Sequence, residues 1–204
     1  MSFYNCVKSS VHVLLHTLYK VEVKGNNNLH NIQNKGVIIC CNHVSLIDSV
    51  AILSETKGKV TFLGKIELFK NKLLAWLFKK MAVIPVNRGH GSSNAIKTSV
   101  DLLNKKEILC IFPEGTRSKT KQLLPAKSGA ALIAFMAKAD VLPVSIKYEK
   151  HLFIRKKIVL NCGEIIKYNE FNFKEGTPGE LKVASKLIMS HISNLLYSQG
   201  GEEV

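Results

Sequence analysis

Short apolar runs at 36–40, 60–63, 82–86, 108–112, 142–146 and 157–162, each closed by polar or turn-forming residues, constrain this chain more than any other feature. Each is the length of a strand, and the stretches between the first five carry apolar residues at helical spacing. With 21–24, which alternates as Val-Glu-Val-Lys, they predict an α/β fold. The expected architecture is a single domain whose largely parallel mixed sheet is covered by helices on both faces. At 204 residues the chain is long enough for one good core and short for two domains. In sheets of this kind reactive side chains sit in the loops beyond the carboxyl ends of the strands. Those loops are therefore the places to look for chemistry.

The first of them is Cys41-Asn42-His43-Val44-Ser45-Leu46-Ile47-Asp48. On an unbroken strand a His and an Asp five residues apart face opposite sides. On an unbroken helix they stand roughly 140° apart, at about 100° per residue. They converge only where the chain turns, as a strand-to-helix junction does. A neutral imidazole held by a carboxylate is a general base suited to taking a proton from a hydroxyl. Ser45-x-x-Asp48 also reads as a capping box, in which Asp48 would serve only helix donors and His43 would be a turn histidine.

Helices are predicted over 4–20, from Asp48 onward, and over 67–80, 92–105, 127–138 and 179–197. The first is amphipathic, with Val7, Val11, Leu14, Leu15 and Leu18 on one stripe, and suits either a bilayer surface or the face of the domain. His12 and His16 lie one turn apart on it, and two histidines without a carboxylate companion make a poor metal site. The helix over 67–80 mixes Leu68, Phe69, Trp76 and Phe78 with Lys70, Lys72, Lys79 and Lys80, consistent with core packing or with an interfacial position.

Twenty-nine Lys and Arg against 15 Asp and Glu give a net charge of +14, so the partner should be anionic. The basic residues are dispersed and form no nucleic-acid-binding motif. Five cysteines, odd in number and without a C-x-x-C spacing, argue for a reducing compartment and against a disulfide framework or zinc motif. No apolar run approaches the roughly 18 residues of a membrane span. The N-terminus shows no secretory signal pattern.

Four blocks occur in order: Asn42-His43-x4-Asp48, Gly64-Lys65-Ile66-Glu67-Leu68 with Val86-Asn87-Arg88-Gly89, Phe112-Pro113-Glu114-Gly115-Thr116-Arg117-Ser118, and Val141-Leu142-Pro143-Val144. Together this resembles the glycerolipid acyltransferases, most closely the 1-acyl-glycerol-3-phosphate acyltransferases, over residues 37–147. The chain departs from the family pattern at Phe69-Lys70-Asn71-Lys72, where a Pro is common, and at Ala75 and Ala82, where Gly is favoured. The resemblance implies direct acyl transfer from acyl-CoA or acyl carrier protein to the free hydroxyl of lysophosphatidic acid. His43 and Asp48 would be catalytic, and Lys65, Arg88, Glu114, Gly115, Thr116 and Arg117 substrate-binding. No tightly bound cofactor and no metal is implied. It also implies residues 1–20 as a membrane-surface helix, 21–204 as the acyltransferase domain, and a peripheral position on the cytoplasmic face of a bacterial inner membrane with its anionic lipids. Another lysolipid acceptor, such as a lyso-ornithine lipid, or a non-catalytic membrane-binding role are the alternatives.

Overall fold

A computed structural model of the chain describes residues 3–81, 83–86, 93–149 and 156–197. Seven strands in them form one sheet: β1 (Tyr19–Lys24), β2 (Ile38–Cys41), β3 (Val60–Lys65), β4 (Val83–Val86), β5 (Ile108–Ile111), β6 (Val141–Glu149) and β7 (Lys156–Cys162). Their order across the sheet is β1-β7-β6-β2-β5-β3-β4. All neighbours are parallel except β6 and β7, which run antiparallel. The expected mixed, largely parallel sheet is what forms. β2 lies at its centre, paired with β5 through Ile38↔Leu109 and with β6 through Cys41↔Val144.

The helices are α1 (Phe3–Leu18), α2 (Asn26–His30), α3 (Ile47–Glu55), α4 (Lys72–Lys80), α5 (Ser93–Asn104), α6 (Gly129–Ala137) and α7 (Pro178–Tyr197). Because side chains alternate along a strand, a continuous apolar run feeds two cores at once. Ile39 and Cys41 of β2 pack with Ala51, Ile52 and Leu53 of α3 and with Leu15 of α1. Ile38 and Cys40 pack with Ala130, Ala131 and Ala134 of α6 and with Ala184 and Ile188 of α7. The small residues of α6 let that helix lie close on the sheet. The sulfurs belong to these cores: Cys40, Cys41, Cys110 and Cys162 are buried and free. Burial pushes the Cys162 thiol up to about 12, so it behaves as an inert core residue.

Two local readings differ from the sequence expectation, and α1 takes one of the two positions that it allowed. Gly25 to Asn28, read as a turn, starts the short helix α2, with Gly25 in the left-handed region at φ 68°. The single helix over 67–80 is a 3₁₀ turn at Ile66–Phe69 followed by α4. The break falls at Asn71, a favoured helix-starting residue, whose carbonyl accepts the Ala75 N–H at 2.8 Å. Finally, α1 is docked on the domain. Tyr4 Oη accepts the Val60 N–H at 2.8 Å, and Lys8 Nζ donates to the carbonyls of Thr56 and Gly58. Val13, Leu14 and Leu18 of the same helix are exposed. No helix among the described residues is long and apolar enough to cross a membrane.

The chain reaches β2 through Gly36 at φ +68°, where an added Cβ would stand 2.3 Å from the Leu103 carbonyl oxygen at the end of α5. Only glycine satisfies both demands. Gly36→Ala should lower unfolding stability by about 2 kcal/mol or more, from the left-handed strain plus the backbone contact. A chemical-denaturation midpoint unchanged from wild type would contradict this view of how β2 is placed.

Candidate active site

At the carboxyl end of β2 the chain turns through Asn42 to Leu46 and enters α3, and this turn brings His43 and Asp48 together. The His43 imidazole lies 2.8 Å from Asp48 Oδ2 through its Nδ1. Asp48 is fully buried. The same Oδ2 accepts the backbone N–H groups of Val44 at 2.7 Å and Ser45 at 2.8 Å, while Oδ1 accepts the Tyr148 hydroxyl at 2.7 Å. Four donors thus converge on two carboxylate oxygens, a load that suits an acceptor-only group. Half of the anticipated capping box is present, since Asp48 does take the Ser45 N–H. The other half is displaced: Ser45 Oγ accepts from Ile47 N–H at 3.2 Å, and the Asp48 N–H goes to the Ser45 carbonyl at 3.3 Å. Capping and holding the imidazole are compatible, because one carboxylate does both.

With Nδ1–H directed at Asp48, the His43 Nε2 carries the free lone pair. Phe112 fixes the plane of the ring, stacking on it with centroids 4.0 Å apart at 17°. The His43 carbonyl accepts the Ser118 N–H at 2.8 Å, which ties the turn to the segment after β5. Asn42 locks the other side. Its side-chain amide accepts the Ile146 N–H at 2.8 Å and donates to the Ile146 carbonyl at 3.0 Å, continuing the β2–β6 ladder where the β2 backbone has left it.

Glu114 is buried, and its carboxylate is engaged by the chain itself: Oε1 accepts the His43 N–H at 2.8 Å and Oε2 the Leu124 N–H at 2.9 Å. Burial raises its carboxyl above the ordinary carboxylate range, and the two amide donors offset part of that rise. Gly115 follows at φ +67°, a left-handed conformation that favours glycine, with the flexible Lys127 side chain beside it. Thr116 and Arg117 are exposed on the same loop, and Arg117 immediately precedes the Ser118 that binds the His43 carbonyl. Lys65 ends β3, two strands from β2 in the sheet, and pairs with Glu67 at 3.0 Å on the surface. Arg88 lies outside the described residues.

Tyr148 escaped the sequence reading. Burial and the neighbouring Asp48 charge push its phenol far above the usual value, which keeps it a proton donor to that carboxylate. The strand was expected to stop at residue 146, whereas β6 runs to Glu149. Extended by one period of two, the face of Val144 and Ile146 reaches Tyr148, so the alternation did carry the signal.

Fold and site together define an α/β domain with an imidazole–carboxylate turn at the carboxyl end of its central parallel strand. The chain belongs to the acyltransferase family, whose family model, described as Acyltransferase, matches residues 20–147. It is similar to the 1-acyl-sn-glycerol-3-phosphate acyltransferase of Bacillus subtilis (strain 168), with 32% identity over 159 residues, covering 74% of this chain and 79% of that protein. The Streptococcus pneumoniae protein of the same name is 30% identical over 195 residues, 91% of this chain and 70% of its own. In fold, the chain matches the crystal structure of the 1-acyl-sn-glycerophosphate acyltransferase from Thermotoga maritima with a TM-score of 0.73 at 23% identity, covering 98% of this chain and 83% of that one.

Two substitutions test this geometry through stability alone. Tyr148→Phe leaves Asp48 Oδ1 without its donor, and Glu114→Gln places an amide N–H₂ against a backbone N–H. Each should cost about 1–3 kcal/mol, the usual penalty for an unsatisfied buried polar group. Thermal unfolding reads this directly, and a Tm within error of wild type for both would mean that these bonds do not hold the site.

Proposed function

We propose that this enzyme moves a fatty acyl group from the thioester of acyl-CoA or acyl carrier protein to the free sn-2 hydroxyl of 1-acyl-glycerol-3-phosphate, giving phosphatidic acid. The observation that carries the reading is the Nδ1···Asp48 bond of 2.8 Å, which leaves Nε2 of a half-buried imidazole as the base. The curated relatives named above bear the name of this reaction. In the proposed step Nε2 takes the hydroxyl proton as the oxygen attacks the thioester carbonyl carbon. The tetrahedral intermediate then expels the thiolate, which takes the proton back from the imidazolium. Asp48 holds the tautomer and stabilises the transient cation. The reaction needs no serine or cysteine nucleophile.

Fixed positive charge would receive the acceptor's phosphate. Arg117 and Arg88 are assigned to it, because a guanidinium makes two parallel bonds to phosphate oxygens. Thr116 lies next to Arg117 and offers a hydroxyl. Lys65 is assigned to the thioester oxygen or a second anionic group. Glu114 is assigned to the glycerol hydroxyls and Gly115 to the same substrate-binding segment, while the Glu114 carboxylate also ties the His43 amide to the loop after β5. Phe3, Val13, Leu14, Leu18 and Trp76 are exposed apolar side chains, and Phe3 packs edge-on to Trp76 at 5.4 Å, joining the start of α1 to α4. With the net charge of +14 they support a peripheral seat on an anionic membrane, the cytoplasmic face of a bacterial inner membrane in this reading.

A radiolabelled acyl-transfer assay crossing both donors with several lysolipid acceptors tests the assignment. Lysophosphatidic acid should be the preferred acceptor, and product from a lyso-ornithine lipid or another lysophospholipid in its place would overturn the named substrate. His43→Ala should lower turnover by about 10²–10⁴ while vesicle binding persists. Turnover retained in that variant would contradict the mechanism. Arg117→Ala should raise KM for a phosphorylated acceptor more than for the acyl donor.

A further inference from the structure

The acyl-transfer reading leaves one cluster of chemistry-bearing side chains unused. It lies where α1 crosses the end of α3, at the opposite end of that helix from Asp48. His12 and His16, which the local sequence left without an acidic companion, do have one: Glu55, the last residue of α3. His16 Nε2 lies 3.0 Å from Glu55 Oε1, and His12 Nδ1 lies 3.5 Å from the same oxygen. The two imidazole rings have centroids 4.2 Å apart. A suitable ligand atom from each of the three residues falls within 4.8 Å of the other two.

We propose that His12, His16 and Glu55 form a binding site for a divalent transition-metal ion of the zinc type, pinning α1 to α3. Spacing is the first argument. Zinc bonds to imidazole nitrogen and carboxylate oxygen are about 2.0–2.2 Å, so tetrahedral ligand atoms stand about 3.3 Å from one another. The observed nitrogen–oxygen separations bracket that value. Donor type is the second, since two imidazoles and one carboxylate suit zinc and its neighbours better than calcium or magnesium, which prefer oxygen alone. The third is support from behind the ligands. Ser54 Oγ donates to Glu55 Oε1 at 2.7 Å and so holds the carboxylate in place, while its 2.8 Å contact with His12 Nδ1 is the one that a bound ion would replace.

Access and charge also fit. The side chains of His12 and His16 are 47% and 38% exposed against 14% for Glu55, so the two imidazoles stand over a carboxylate set deeper between the helices. A cleft of about 390 Å³ lined by Asn5, Lys8, Ser9, His12, Val13 and Ser54 opens beside them. Lys8, one turn before His12 on α1, has its ammonium engaged by the carbonyls of Thr56 and Gly58. Three protein ligands leave a fourth position for water. The two helices are already packed together, so the ion would tighten an existing contact.

Metal-free protein titrated with zinc chloride by calorimetry should bind one equivalent at this site. Zinc at a hundredfold excess over Kd should raise the Tm by roughly 5 °C. His12→Ala, His16→Ala and Glu55→Gln should each weaken binding by at least about tenfold, a minimum for loss of a ligand. His43→Ala and His191→Ala should leave it unchanged, which separates this site from the catalytic imidazole and from surface histidines. Should a ligand variant fail to fold, zinc-edge absorption of the wild-type protein decides: two imidazoles and lighter oxygen donors at about 2.0–2.2 Å are expected. Zinc that does not bind, binding indifferent to all three ligand substitutions, or an absorption spectrum without imidazole would overturn the site. None of these outcomes bears on acyl transfer, which is measured separately.

Discussion

The Asp48 carboxylate is the point on which the site depends. Removing an ion from water costs several kcal/mol even after the protein relaxes. Hydrogen bonds to a charged group contribute about 1.5–3 kcal/mol each, so the four donors around Asp48 are enough to offset that cost. They come from three directions: the His43 ring, two consecutive amides of the turn, and a phenol from β6. Removing the negative charge would loosen the ring, the turn and the end of β6 together. An apolar residue could fill the same volume, but it could not draw these groups to one place.

That arrangement is possible because the sheet beneath it is rigid. β2 is buried on both faces, and its register against β5 and β6 is pinned by bonds outside the regular ladder. The Leu109 N–H donates to the Val37 carbonyl, and the Ile38 N–H to that of Asp140. Asn42 then replaces a strand residue with its own amide, letting the main chain depart without leaving Ile146 unpaired. Glu114 performs a related task across the gap, clipping the His43 amide to the loop after β5 and to Leu124. Fold and site are continuous here. The residues that end the strands are those that orient the imidazole.

Much of this was legible in the chain. All seven strands could be placed, β1 by its alternation and the others as short apolar runs between turn residues, and His43 with Asp48 could be paired because only a turn brings them together. What escaped depended on long-range contacts. Tyr148 is separated from Asp48 by 100 residues, and only the extra length of β6 brings it in. The inward commitment of Glu114 follows from which amides are left unpaired at two loop ends, which spacing does not encode. Glu55 stands far in sequence from His12 and His16, and the docking of α1 on α3 alone makes them neighbours. The split of the 67–80 helix had a local signal in Asn71, outweighed by the helical spacing of the apolar residues on either side.

Asp48, an acceptor only, holds His43 with its proton on Nδ1 and its lone pair on Nε2. Nitrogen-15 NMR of the histidine side chains, with the His43 signals assigned by their loss in His43→Ala, observes this directly. At a pH where the ring is neutral, His43 should show the Nδ1-protonated tautomer, and Asp48→Asn should weaken that preference. A His43 ring protonated on Nε2 in the wild-type protein would contradict this, because Nε2 would then have no lone pair to offer the hydroxyl in the proposed transfer.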